Sequence, residues 1–90
     1  MPDIEKIVTI ENKLGMHARP AALLVQTASK FSATIELEAN SLKVNGKSIM
    51  GVMMLAAAFG SNLKIIASGD DAEDAIAEIE ALIKRKFDEE

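Results

Sequence analysis

Apolar residues recur along the chain at two spacings, every second position in some stretches and every third or fourth in others. These mark half-buried strands and amphipathic helices respectively. Ile4 to Glu11 reads as a first strand, with Ile4, Val8 and Ile10 on one face and Lys6 interrupting the alternation. Asn12-Lys13-Leu14-Gly15 breaks it, glycine being suited to a sharp loop. A helix is expected from near Ala18 to about Lys30. Ala21, Leu24, Val25, Ala28 and Phe31 form its apolar stripe, and Gln26, Ser29 and Lys30 fall on the wet side. Pro20 is compatible with it, because an N–H in the first turn has no intrahelical partner to lose. Thr34 to Glu38 alternates again, with Ile35 and Leu37 inward. Ala39-Asn40-Ser41 is turn chemistry, Leu42-Lys43-Val44 a partner strand, and Asn45-Gly46 its end.

Ser48 is a good N-cap for a short helix running towards Ala58, with Gly60-Ser61-Asn62 as its terminator. Leu63 to Ser68 reads as a fourth strand, with Leu63, Ile65 and Ala67 on one face. Asp70 and Glu73 have capping-box spacing ahead of a last helix, whose stripe is Ala72, Ala75, Ile76, Ile79, Leu82, Ile83 and Phe87. The order β-α-β-β-α-β-α predicts an α+β open-faced β-sandwich: a four-stranded antiparallel sheet with three helices on one face. The other face would stay wet, which suits Glu36, Glu38, Lys43 and Lys64.

At 90 residues the chain is expected to be a single domain, 1–90, with room for one core. With no cysteine, disulfides, thiolate catalysis and cysteine-based zinc sites are excluded. A net charge of −4 and an aromatic content of 3% argue against nucleic-acid binding, which needs a basic face or stacking platforms. The start, Met1-Pro2-Asp3, lacks the features of a secretory signal, and no apolar run approaches the roughly 18–20 residues of a membrane span. A cytoplasmic protein without membrane insertion is expected.

Candidate chemistry concentrates in Gly15-Met16-His17-Ala18-Arg19-Pro20-Ala21, which contains the chain's only histidine. A single histidine makes a poor metal site, and no carboxylate cluster has ligand spacing. The serines are scattered, so no triad can be proposed, and no glycine-rich nucleotide loop is present. No cofactor is expected. What remains is an imidazole at a helix start, where unpartnered N–H groups and the helix dipole favour an anion. Arg19 adds a guanidinium able to meet phosphate oxygens in a bidentate way. Two readings stay open on these residues: a surface-loop or helix-capping histidine, or a nucleophile that takes up a phosphoryl group.

Ser48 likewise reads either as an ordinary N-cap or as a phosphorylation site, with Lys47 beside it to help hold the phosphate. Met50, Met53 and Met54 fill core or adapt to partners. Leu14, Met16, Met50 and Met53 are expected to form one exposed apolar docking patch beside His17.

These two stretches, with Gln26-Thr27-Ala28-Ser29-Lys30-Phe31 and Val44-Asn45-Gly46-Lys47-Ser48-Ile49-Met50-Gly51-Val52-Met53, resemble HPr, the histidine-containing phosphocarrier family of the bacterial phosphotransferase system. The resemblance covers nearly the whole chain and implies the same open-faced sandwich. It implies that His17 accepts a phosphoryl group on Nδ1 from Enzyme I, itself charged by phosphoenolpyruvate, and passes it to a histidine of an EIIA-type domain, assisted by Arg19. It implies that Ser48 is modified by an ATP-dependent HPr kinase/phosphorylase, weakening docking to Enzyme I and, in some bacteria, creating a corepressor for a transcription regulator. Partner contacts would come from Leu14, Met16, Pro20, Lys47, Ile49, Met50 and Met53, and a monomer would suit successive docking. Family members often carry Asn or Ser at the position of Leu14. Lys13-Leu14-Gly15-Met16 looks instead like the nitrogen-related branch, and Gln26, Ser29 and Gly51 stand where some enteric members are basic. A nitrogen-related regulatory carrier, or a non-transfer corepressor module acting through the Ser48 helix, are the alternatives to sugar uptake.

Overall fold

The computed structural model describes residues 3–88; the start Met1-Pro2 and the last two residues of the acidic tail lie outside them. The elements follow in the order β1 (Ile4–Thr9), α1 (Ala18–Ala28), β2 (Thr34–Ala39), β3 (Leu42–Asn45), α2 (Ile49–Met54), β4 (Asn62–Ser68) and α3 (Ala72–Lys84). The four strands form one antiparallel sheet in the order β1-β4-β2-β3. The open-faced sandwich expected from the sequence is what the chain adopts.

Register explains how the strands divide between core and solvent. Val8 lies opposite Leu63, Leu37 opposite Ile65 and Ile35 opposite Ala67, and all six are buried. Leu24 and Ala28 of α1, and Ala75, Ile79, Leu82 and Ile83 of α3, join them in the core, as their helical spacing predicts. The opposite sheet face carries charge: Lys64 lies 3.8 Å from both Glu5 and Glu38. Such exposed pairs contribute little stability. Lys6, the irregularity in β1, points to the helical side from an edge strand and reaches Glu80 of α3, 3.7 Å away. A long stem on a sheet edge can lead its charge out to solvent, so the alternation tolerates a lysine there.

The β2–β3 connection is a two-residue hairpin. Asn40 and Ser41 both take positive φ (52° and 65°), and Ala39 faces Leu42. This mirror-image turn matches the twist of the strands, and asparagine tolerates it well. Asn40 Nδ2 also donates to the Leu55 carbonyl at 2.9 Å, which ties the hairpin to the end of α2.

Two expectations about the helices are corrected. α2 ends at Met54, not near Ala58, and Gly60 does not terminate it. Ala56 turns left-handed (φ 50°), and the chain then runs extended beside the loop that follows β1. The N-cap of α3 is Asp71, not Asp70, and no side chain caps that helix. The Asp71 carboxylate instead accepts from the amides of Ser32 and Ala33, both at 2.8 Å. Past α3, Lys86, Phe87 and Asp88 are all left-handed, and that turn seats the Phe87 ring in the core.

Candidate functional site

The loop carrying His17 is built largely by backbone. Ile10 donates to the Ser61 carbonyl (2.9 Å) and accepts from Gly60 N–H (2.8 Å), so the strand ladder continues past β1. Asn12, wholly buried, donates from Nδ2 to the Gly15 carbonyl at 2.7 Å, and Gly15 N–H donates back to the Asn12 carbonyl at 3.1 Å. Met16 N–H donates to the Ala57 carbonyl at 2.8 Å. Segment 57–61 is therefore bonded along the 10–16 loop. Gly15 is needed twice over: its φ is +70°, and a Cβ there would lie 2.7 Å from the Ala57 oxygen.

His17 is the N-cap of α1, in extended backbone (φ −97°, ψ −171°), and half-buried. Its carbonyl accepts from Ala21 N–H at 3.0 Å, the first bond of the helix, but its ring does not cap the helix. The amides of Ala18 and Arg19 are left without intrahelical acceptors. Pro20 has no N–H and fills the third position. The first turn holds no acidic residue, so nothing on it cancels the positive end of the helix dipole. Arg19 is exposed.

Ser48 is the N-cap of α2, also extended (φ −111°, ψ 115°), and here the side chain does cap: Oγ accepts from Gly51 N–H at 3.1 Å. The approach is shaped by Asn45, whose Oδ1 accepts from Lys47 N–H (2.9 Å) and whose carbonyl accepts from Ser48 N–H (3.1 Å). α2 packs against α1 and β3, with Val52 as its one buried residue, while Ile49, Met50, Met53 and Met54 face outward.

Comparison with known proteins decides what this arrangement belongs to. Residues 4–85 match the family model described as the PTS HPr component phosphorylation site. The phosphocarrier protein HPr of Treponema pallidum is 48% identical over 87 residues, covering 97% of this chain and 99% of that one. The HPr-like protein Crh of Halalkalibacterium halodurans is 43% identical over 83 residues, covering 92% and 99%. The crystal structure of HPr-C-His from Thermoanaerobacter tengcongensis superposes with a TM-score of 0.92 at 54% identity, covering 97% of this chain and 98% of that one. This chain belongs to the HPr family. That family supports a phosphocarrier role in the phosphotransferase system.

The structure sorts the candidate partner-binding residues. Leu14 is 76% exposed and Met50 73%, with Ile49 and Met53 partly so. Met16 and Pro20 are buried and cannot belong to an exposed patch. Met16 turns inward because its amide is bonded to segment 57–61, which fixes that stretch of backbone with the thioether towards the core. Lys47 is also redirected. Its Nζ donates to the Phe31 carbonyl at 2.6 Å, which places its charge at the α1–β2 loop. That loop is held from two sides. The Ser32 amide holds the Asp71 carboxyl below its ordinary pKa, against partial desolvation, and the Ala33 amide and the Lys47 charge add to the effect.

Sequence reasoning missed Asn12 and Phe59. Asn12 has an Asx-type signal, three residues before a glycine, although its complete burial has none. Phe59 is 62% exposed, and its backbone abuts Gly15. Its exposure follows from the early end of α2, which periodicity did not reveal. Among the described residues no group of three acidic or histidine side chains could hold a metal, and no helix is long and apolar enough to cross a membrane.

Proposed function

We propose that His17 is the phosphoryl-accepting residue of this chain, taking the group on Nδ1 from phosphorylated Enzyme I, charged by phosphoenolpyruvate, and passing it to a histidine on an EIIA-type domain. The observation that carries the reading is that His17 sits at the N-cap of α1 without capping it. A phosphoryl group on its ring would lie near the two orphan amides of Ala18 and Arg19 and the Arg19 guanidinium. A negative group at a helix start gains about 0.3–1 kcal/mol, more where partly buried. That modest figure suits a carrier, which must release what it accepts. The reading places the protein in the cytoplasm as a monomeric single domain, docking through Leu14, Ile49, Met50 and Met53. Leu14 brings no polar atom to the phosphate; the acceptor serves sugar uptake or its regulation, with a nitrogen-related regulatory role as the alternative that Lys13-Leu14-Gly15-Met16 resembles.

The test is incubation with phosphoenolpyruvate and Enzyme I. An acid-labile, base-stable adduct should form and be absent in His17→Ala. No adduct from an Enzyme I that charges another HPr overturns the proposal.

A second reading concerns Ser48 as the target of an HPr kinase/phosphorylase. It is favoured by the position of Ser48 at the edge of the exposed Ile49–Met50 face. Esterification leaves Oγ in place and adds charge at a helix start, where it is tolerated, but inside an apolar docking surface, where it repels. The modified protein could then serve a transcription regulator as corepressor. ATP and the cognate kinase should give an acid-stable phosphate that is lost in Ser48→Ala. A kinase active on another HPr that leaves this chain untouched overturns it.

A further inference from the structure

The methionines divide sharply by exposure. Of the four among the described residues, Met16 is 6% exposed, while Met50, Met53 and Met54 are all exposed. Those three occupy positions i, i+3 and i+4 of α2 and so share one stripe. A stripe at that spacing ordinarily marks the buried side of a helix. Here it faces solvent, because α2 is only six residues long and is anchored through Val52 and, just past its end, Leu55. The chain has no cysteine, so its thioethers are its only sulfur.

We propose that Met50, Met53 and Met54 form an oxidant-reactive site at which peroxides convert the outer face of α2 from apolar to polar. The functional half of the inference rests on the docking role given to that face above. The step is a two-electron oxygen transfer. The peroxide O–O bond breaks, an S–O bond forms on the thioether, the sulfur is oxidised to sulfoxide, and water leaves. It is reversible, since methionine sulfoxide reductases remove the oxygen at the expense of thiols, one enzyme for each epimer. Sulfoxides are polar and chiral, and burying them under a partner is disfavoured where burying thioethers was favoured. Since none of the three side chains is buried, their oxidation leaves the core intact. Oxidation of α2 therefore blocks docking without unfolding the carrier.

Two measurements on the full chain test this. Brief treatment with dilute hydrogen peroxide, read by peptide mass spectrometry, should oxidise Met50, Met53 and Met54 before Met16, with the circular dichroism spectrum unchanged. Equal oxidation of Met16, or loss of the spectrum at the same dose, overturns the site. This arm needs no partner, so it stands or falls independently of the phosphocarrier reading, which fails if the untreated protein accepts nothing from Enzyme I. In the second arm, phosphoryl transfer from Enzyme I should slow about tenfold after peroxide, as the loss of one buried apolar side chain's worth of contact implies. The two reductases together should restore it. The variant Met50→Leu/Met53→Leu/Met54→Leu, compared only with its own untreated rate, should be insensitive to peroxide. An undiminished rate in the oxidised wild type, or an equal loss in the triple variant, overturns the switch.

Discussion

α1 begins at His17 and α2 begins at Ser48, each in extended backbone at the N-cap position. At α2 the side chain closes the helix, Oγ accepting from Gly51 N–H, and the entry is shaped by side-chain chemistry at Asn45. At α1 the ring takes no part in capping. The entry is instead set mainly by distant backbone, with Ala57 and Gly60 holding the loop that leads to it and the Asn12 side chain closing that loop on Gly15. A residue that caps its own helix supports that helix. A residue set at the same position by other parts of the chain can be chosen for chemistry instead.

The largest effect that bears on this contrast is expected at Gly15. Gly15→Ala should cost about 2–4 kcal/mol in urea unfolding, combining a strained positive φ with a Cβ driven against the Ala57 oxygen. Gly60→Ala is the control. It has φ +87° but nothing within 4 Å of a Cβ, so it should lose only about 1–2 kcal/mol. Equal losses would show that the close approach of segment 57–61 does not shape the α1 entry. Ser48→Ala comes next, at about 1 kcal/mol, the usual value of an N-cap.

The third helix entry sharpens the comparison, because Asp71 holds an N-cap position while bonding another loop. Its pKa is depressed in the folded state, so its contribution is fully present above the ordinary aspartate value of 3.8. It is lost as pH falls through the lower folded pKa. Asp71→Asn should therefore be partly destabilised at neutral pH, and the gap to wild type should close in acid unfolding titrations. A gap that stays constant from neutral pH to the acid limit of the titration would mean that the carboxylate charge contributes nothing. The smallest effect is expected at His17: His17→Ala should change stability by no more than about 0.5 kcal/mol while abolishing the phosphohistidine adduct. A loss as large as that of Ser48→Ala would break the distinction between the two helix starts.

What was legible in the sequence follows the same division. β2, β4, α1 and α3 could be read because single-face burial imposes a period, and each stripe from Ala21 to Ile83 points as its spacing says. The hairpin was legible in Asn40-Ser41. The end of α2 is not legible, since Ala56, Ala57 and Ala58 favour a helix locally and it is long-range bonding, of Leu55 to Asn40 and of segment 57–61 to Ile10 and Met16, that overrides them. Asp70 and Glu73 satisfied a local capping pattern, but Asp71 gains two amides from a loop 38 and 39 positions away in the chain. Met16 looked like a neighbour of Leu14 on the surface, and a long-range backbone bond turned it inward. His17, Arg19 and Ser48 are legible because each sits at a helix start, which glycine, proline and serine announce locally.

The partnership of loop 10–16 with segment 57–61 also sets an order of assembly during synthesis. His17 leaves the ribosome well before segment 57–61, whose backbone shapes its loop, and among the described residues β1 pairs only with β4. Pairings of such high sequence separation form late. A nascent chain that has not yet delivered residue 61 therefore carries the histidine without its setting. A partner that recognises the shaped loop would find it only once residue 61 has emerged.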